Sequence, residues 1–250
     1  MSISSLILLI LLFLFTSVIG VVTGSNSLIT VPVMFQFGID EKVAVATNMF
    51  GLTFMAIGAT IPFVRQRKID YRKLSPLIVL TLISSAIGAA LVGLITNQGI
   101  KLIVSVAMIV VVIFTLIKRD SGIVVKHGVS SNAMLLTLLL TFLLGIYGGL
   151  YSGGYVTILT AVLVAFFGMT FSESVAATKF INVFSSSIAT VVFMWQGLVD
   201  YRLGVILAVT MFIGAYVGAH YVAKLNDLWI KRIFLTTVFL LAIKTLVDFL

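Results

Sequence analysis

Long apolar runs dominate the chain, and polar residues arrive in short bursts between them. Residues 1–39 carry no charged side chain, and neither do 43–64, 74–100 or 127–172. Uncharged apolar runs of about 18 residues or more mark membrane-spanning helices. The pattern predicts apolar segments at 3–22, 28–37, 43–64, 74–95, 100–117, 133–148, 155–167, 175–196, 203–223 and 231–250. Two of them, 28–37 and 155–167, are too short to cross about 30 Å of hydrocarbon. Each follows small, helix-breaking residues: GSNS (24–27) and GGLYSGG (148–154). One straight helix through residues 1–39 would run to about 58 Å, so the chain is expected to break or turn back at those stretches. The expected fold is an all-α polytopic membrane protein of about eight transmembrane segments, two of them broken helices or re-entrant hairpins.

The pattern also repeats. VAVATN (43–48) precedes IDYR (69–72) and IGAA (87–90); VAATK (175–179) precedes VDYR (199–202) and VGAH (217–220). Thr47 to Asp70 is 23 residues and Thr178 to Asp200 is 22. An ordered series of matches predicts an internal duplication of about 120 residues. The first repeat is 1–118, a cytoplasmic linker follows at 119–132, and the second repeat is 133–250.

Charge then orients the halves. Of the 16 Lys and Arg, five crowd into 65–73 (RQRKIDYRK), which predicts a cytoplasmic loop. If 133–167 returns to the side it left, three more at 118–126 and three at 224–232 are also cytoplasmic, leaving Lys42, Lys101 and Arg202 outside. A single crossing there gives a poorer balance. The favoured arrangement is two inverted repeats with paired broken helices, an architecture of secondary transporters. The net charge of +8 therefore encodes orientation and does not point to nucleic acid. MSISSLILLI lacks the basic start of a secretory signal and is taken as the first segment. The chain has no cysteine and only His127 and His220, which excludes thiolate chemistry and argues against an ordinary metal site.

Within this apolar frame, Lys179 stands out in SESVAATKFINVFSS (172–186). On a helix starting near Ser174 it lies about 8 Å in, with Asn182 and Ser186 on the same face. A long lysine stem at that depth can snorkel to the headgroups. A charge that stays in the membrane should instead face a wet cavity. An ammonium beside neutral donors, with no carboxylate near but Glu173, makes an anion site. Thr47 and Asn48 are the uncharged counterparts of Thr178 and Lys179, though Asn48 could equally bond across a helix interface. The two breaks offer backbone N–H groups at restarting helices, with Ser25, Asn26, Ser27, Ser152, Gly153 and Gly154 at the rim. Packing through small residues is the alternative for those breaks, and it is the expectation for Gly88, Gly93, Gly214 and Gly218. The two D-Y-R loops should cap helices. Glu173 reads as a helix-terminal acid and as a candidate for proton coupling. Ser152 with His220 loosely matches an intramembrane serine protease, but the G-x-x-S-G spacing is wrong for one.

Taken together, the Gly-rich break, the A-T-N and A-T-K helices and the G-x-hydrophobic-D-Y loop resemble the TauE/SafE family of sulfite-exporter-like anion permeases. The second half, GIYGGLYSGGYVTIL and SESVAATKFINVFSSSIA, carries the likeness most specifically. The family's K-x-x-N-x-x-S-x pattern falls on Lys179, Asn182 and Ser185, with Ser186 where Asn is common. In the first half GSNS stands where a glycine-richer turn is usual. The resemblance implies a non-enzymatic, cofactor-free permease of the cytoplasmic membrane, carrying sulfite, sulfonates or small organic acids. It further implies coupling to an ion gradient, H+ being the expected ion, and it allows a homodimer. An anion channel is the nearest alternative.

Overall fold

The computed structural model describes residues 3–24, 26–67, 69–117 and 131–226, and singly 228, 229, 232 and 236. The linker at 119–132 lies mostly outside the described residues, as do Ser25 and most of the apolar segment 231–250. Helices follow in the order α1 (Ile3–Thr23), α2 (Ser27–Gln36), α3 (Glu41–Arg65), α4 (Tyr71–Leu94), α5 (Asn97–Ile117), α6 (Ser131–Leu150), α7 (Tyr155–Phe166), α8 (Phe171–Trp195) and α9 (Tyr201–Val222). Among the described residues six helices are long and apolar enough to cross a membrane, and α2 and α7 are shorter apolar helices. The molecule is thus an all-helical, multi-pass membrane protein.

Capping sets the helix starts. Asp40 accepts the N–H groups of Lys42 and Val43, and Asp70 those of Arg72 and Lys73. Asp200 accepts that of Leu203. The D-Y-R loops are therefore caps, each worth about 1 kcal/mol. Helix α8 begins earlier than its apolar run implies. Thr170 and Glu173 form a reciprocal capping box, Thr170 Oγ1 accepting from Glu173 N at 3.2 Å and Glu173 Oε2 accepting from Thr170 N at 2.9 Å.

The helices turn small and polar residues inward and bulky apolar ones to the lipid, as membrane helices do. On α4, Val79, Ile83, Ile87 and Leu91 form an exposed stripe, while Thr81, Ser84, Ser85, Gly88 and Ala89 are buried. On α9 the stripe is Val205, Val209, Ile213 and Val217, and Gly204, Ala208, Gly214, Ala215 and Gly218 are buried. These buried faces receive helices from the other half of the chain. Gly214 and Gly218 press on the Leu14 and Val18 carbonyls of α1, so α1 and α9 run parallel. Gly88 presses on the Ile146 carbonyl of α6, and Gly145 and Gly149 of α6 abut Ser84 and Ser85, so α6 parallels α4. Three of the four predicted packing glycines therefore lie in such contacts. Gly93 does not: it is exposed, and a Cβ there would meet the flexible Gln196 side chain rather than backbone.

Both breaks are hairpin turns. Thr30 of α2 bonds Asn48 of α3, so α2 returns alongside α3; Thr160 of α7 bonds Thr178 of α8 in the same way. Asp200 N donates to Thr47 Oγ1 near the start of α3, at 3.0 Å, whereas Asp70 follows the end of α3. The two D-Y-R caps thus sit at opposite ends of the bundle.

Candidate functional site

The two hairpin turns meet tip to tip inside the bundle. Ser27 Oγ lies 2.7 Å from Ser152 Oγ, and Tyr151 Oη donates to the Ser27 carbonyl at 2.9 Å. Thr157 Oγ1 donates to the Thr23 carbonyl at 2.5 Å. Gly24 (φ +67°) lets this approach happen: a Cβ there would sit 2.6 Å from Val156 Cβ and 2.9 Å from Thr157 N. Gly154 (φ +80°) makes the left-handed step that starts α7. On the first side Asn48 anchors the turn, donating from Nδ2 to Ser27 Oγ at 2.9 Å and accepting from Thr30 Oγ1 at 2.7 Å.

Lys179 reaches the same place from α8. It lies eight residues beyond Phe171, about 12 Å along the axis and so deeper than the apolar pattern predicts. The side chain does not snorkel. It is 3% exposed, and Nζ donates to the Gly20 carbonyl of α1 at 2.6 Å. That carbonyl lies in the last turn of α1, where the helix dipole favours a cation. A small cavity of about 10 Å³, room for roughly one water, lies beside Lys179 and is lined by Gly20, Asn26, Ser27, Ser152 and Asn182 among others. Asn26 is 3% exposed, and neither its Nδ2 nor its Oδ1 has a protein partner. Among the described residues no carboxylate lines this cavity.

The expected site residues divide accordingly. Lys179, Asn182, Asn26, Ser27 and Ser152 converge on the cavity, with Asn48 directly behind Ser27. Ser185 turns away to α4, its Oγ 2.7 Å from Ser85 Oγ. Ser186 bonds back to the Asn182 carbonyl at 2.5 Å. Thr178 pairs with Thr160, and Thr47 holds the Asp200 N–H. Gly153 and Gly154 shape the second turn, where Tyr147 Oη donates to the Gly153 carbonyl. Ser25 falls outside the described residues. Sequence reasoning overlooked Gly20, Tyr151 and Thr157. Gly20 acts through its carbonyl, which no residue type announces. The two tip donors belong to ordinary packing patterns.

Glu173 stands six residues, about 9 Å, before Lys179. It lines a wider pocket of about 790 Å³ with Arg67, Asp70, Arg72, Thr170, Ser172 and Asn226 among others. At the other end of the bundle polar contacts tie the α2–α3 and α4–α5 turns together. Asn97 Nδ2 donates to Asp40 Oδ2 at 2.5 Å, Lys42 Nζ to the Gly93 carbonyl at 3.1 Å, and Lys101 pairs with Glu41 at 2.7 Å. Ser152 and His220 form no dyad: Ser152 Oγ faces Ser27, whereas the exposed His220 Nε2 is 2.9 Å from Lys224 Nζ. Among the described residues no cluster of three or more His, Asp or Glu could hold a metal ion.

The family model described as "Sulfite exporter TauE/SafE" matches residues 9–245. Three curated relatives match along nearly their full lengths. A "Probable membrane transporter protein ORF9" of Sinorhizobium sp is 26% identical over 91% of this chain and 87% of its own. A "Probable membrane transporter protein" of Haemophilus influenzae is 23% identical over 93% and 91%. A "Probable membrane transporter protein YfcA" of Escherichia coli K12 is 23% identical over 98% and 92%. No solved structure gives a significant match.

Proposed function

Because the chain belongs to the TauE/SafE sulfite-exporter family and is a multi-pass membrane transporter, we propose that it carries small anions by alternating access around Lys179. The observation that carries this reading is one buried ammonium at the meeting point of two hairpin tips, with neutral donors and, among the described residues, no carboxylate around it. Burying an uncompensated cation costs several kcal/mol. The Gly20 carbonyl offsets part of that cost and leaves two of the three ammonium protons for a ligand. Sulfite, organosulfonates and small organic acids are the cargo proposed, as the family's name and the site's charge together favour.

The two halves, 1–118 and 133–250, are proposed to be inverted repeats. In support, the D-Y-R caps stand at opposite ends, and α1 packs on α9 as α6 packs on α4. With the Arg-rich loop 65–73 cytoplasmic, the 790 Å³ pocket opens inward and the polar tie at Asp40, Glu41 and Lys42 closes the outside. The small central cavity is then an occluded site seen from a cytoplasmic vestibule. Loosening the outer tie while the vestibule narrows would expose Lys179 to the other side. Proton coupling is proposed as the energy source, with Glu173 at the mouth of the route.

The test is gradient-driven anion uptake into proteoliposomes, wild type against Lys179→Met. Uptake should fall at least tenfold, since one charge-assisted contact contributes about 1.5–3 kcal/mol. Unchanged flux and affinity would sink the proposal. A channel would pass the same anions only down their own gradient, with no response to an imposed proton gradient.

A further inference from the structure

The cavity beside Lys179 constrains its ligand more tightly than "anion" does. Among the described residues, Lys179 is the only charged side chain lining it. A singly charged ligand would neutralise the site. A dianion would leave a net buried negative charge, a state that costs several kcal/mol in a low-dielectric interior. The second constraint is Asn26. Its side chain is buried, it lines the cavity, and both its donor and its acceptor lack a protein partner. Because both amide atoms are unpartnered, exchanging its oxygen and nitrogen leaves the conclusion unchanged. An orphaned donor beside Lys179 fits any anion. An orphaned acceptor does not: a bare anionic oxygen would repel Asn26 Oδ1, whereas a ligand O–H would donate to it. Ser27 Oγ and Asn48 cannot relieve Asn26, because they are engaged with Ser152, with Thr30 and with each other.

Building on the Lys179 anion site proposed above, we infer that the transported ligand is a singly charged oxyanion carrying its own O–H group. Its anionic oxygens meet Lys179 Nζ and Asn26 Nδ2, and its hydroxyl donates to Asn26 Oδ1. Asn26 is thereby a specificity-determining residue, and Lys179 sets the charge. A site built to bond a hydroxyl rejects the analogue that lacks it, because its own polar group is then left unpaired. Widening of the cavity must accompany binding, since its present volume of about 10 Å³ holds no oxyanion.

The test is calorimetric binding to the purified full chain in detergent, at constant ionic strength and at a mildly alkaline pH. Two pairs of sodium salts serve as probes. Bicarbonate against acetate exchanges hydroxyl for methyl at constant charge. Methanesulfonate against sulfate exchanges one negative charge for two on a similar frame. Bicarbonate should bind at least about tenfold tighter than acetate, and methanesulfonate at least about tenfold tighter than sulfate. In Asn26→Leu the bicarbonate preference should fall to near unity while the charge preference persists. Equal affinity for bicarbonate and acetate in the wild type overturns the hydroxyl inference, and tighter sulfate overturns the charge inference. Both outcomes are read without any variant, so a poorly folded Asn26→Leu does not block the test. Binding of all four salts to Lys179→Met as to wild type, or none to wild type, overturns the Lys179 site itself. Loss of binding in Lys179→Met with a flat bicarbonate-to-acetate ratio in the wild type overturns only the present inference.

Discussion

Replacing Gly88 by alanine should be among the most damaging single added methyls at the protein's helix-packing glycines. A Cβ at Gly88 would sit 1.9 Å from the Ile146 carbonyl oxygen and 2.8 Å from its carbon. These are backbone atoms, so no rotamer change relieves the clash. Reaching the 3.4 Å of ordinary contact requires α4 and α6 to part by 1.5 Å at that point. Ser85 Oγ on the same face of α4 donates to the Gly145 carbonyl of α6 at 3.1 Å, and that bond would stretch. Overpacking of this kind costs about 3 kcal/mol, which for a chain of this size lowers Tm by about 6–12 °C. Gly218→Ala, whose Cβ would meet the Val18 carbonyl at 2.4 Å, should lose somewhat less. Gly93→Ala is the control, with only the Gln196 side chain at 3.3 Å, and should lose under about 0.5 kcal/mol. Thermal unfolding in one detergent, followed by intrinsic fluorescence, gives all three values. A Gly88→Ala protein that melts with the wild type, or Gly93→Ala melting lowest, would refute the packing scheme.

Two further outcomes are expected. Ser27→Ala should cost more than Ser152→Ala in the same unfolding assay, about 2–3 against about 1 kcal/mol. Removing Ser27 Oγ strands both Asn48 Nδ2 and Ser152 Oγ, whereas removing Ser152 Oγ leaves the Asn48 bond intact; the reverse order would contradict the tip-to-tip geometry. The chain has no cysteine, so single cysteines at Arg67 and Gly197 can be tested with a membrane-impermeant maleimide in intact cells. Labelling of Gly197→Cys but not Arg67→Cys is expected, and labelling of both from one side would refute the inverted arrangement.

Much of this was legible in the sequence because membrane helices announce themselves by length. The turns at GSNS and GGLYSGG, and the shortness of α2 and α7, follow from where glycine and small polar residues interrupt apolar runs. The asparagine–lysine asymmetry of Asn48 and Lys179 was likewise visible. The start of α8 was not, because the polar residues of T-x-x-E interrupt hydropathy while serving as a capping box. Nor was the separation of Ser185 and Ser186 from the site. Spacing places Ser186 on the face of Lys179, but its hydroxyl is taken by the backbone four residues earlier. Ser185 is claimed by Ser85, a partner 100 residues away. Helical periodicity fixes a face, whereas the partner depends on which helix arrives there. One signal was available for the first hairpin: Thr30 and Thr160 each precede their partners, Asn48 and Thr178, by 18 residues.

The exchange of helices between the halves has a historical consequence. Helix α1 finds its groove on α9, and α6 finds its groove on α4. Among the described residues, α1 and α3 pack on α9, and α4 packs on α6 and α8, so the most extensive helix contacts join the two halves. On the inverted-duplication reading, the ancestral half-length protein could not have worked as a lone copy. On that reading two copies inserted in opposite directions would have had to pair, each lending a helix to the other.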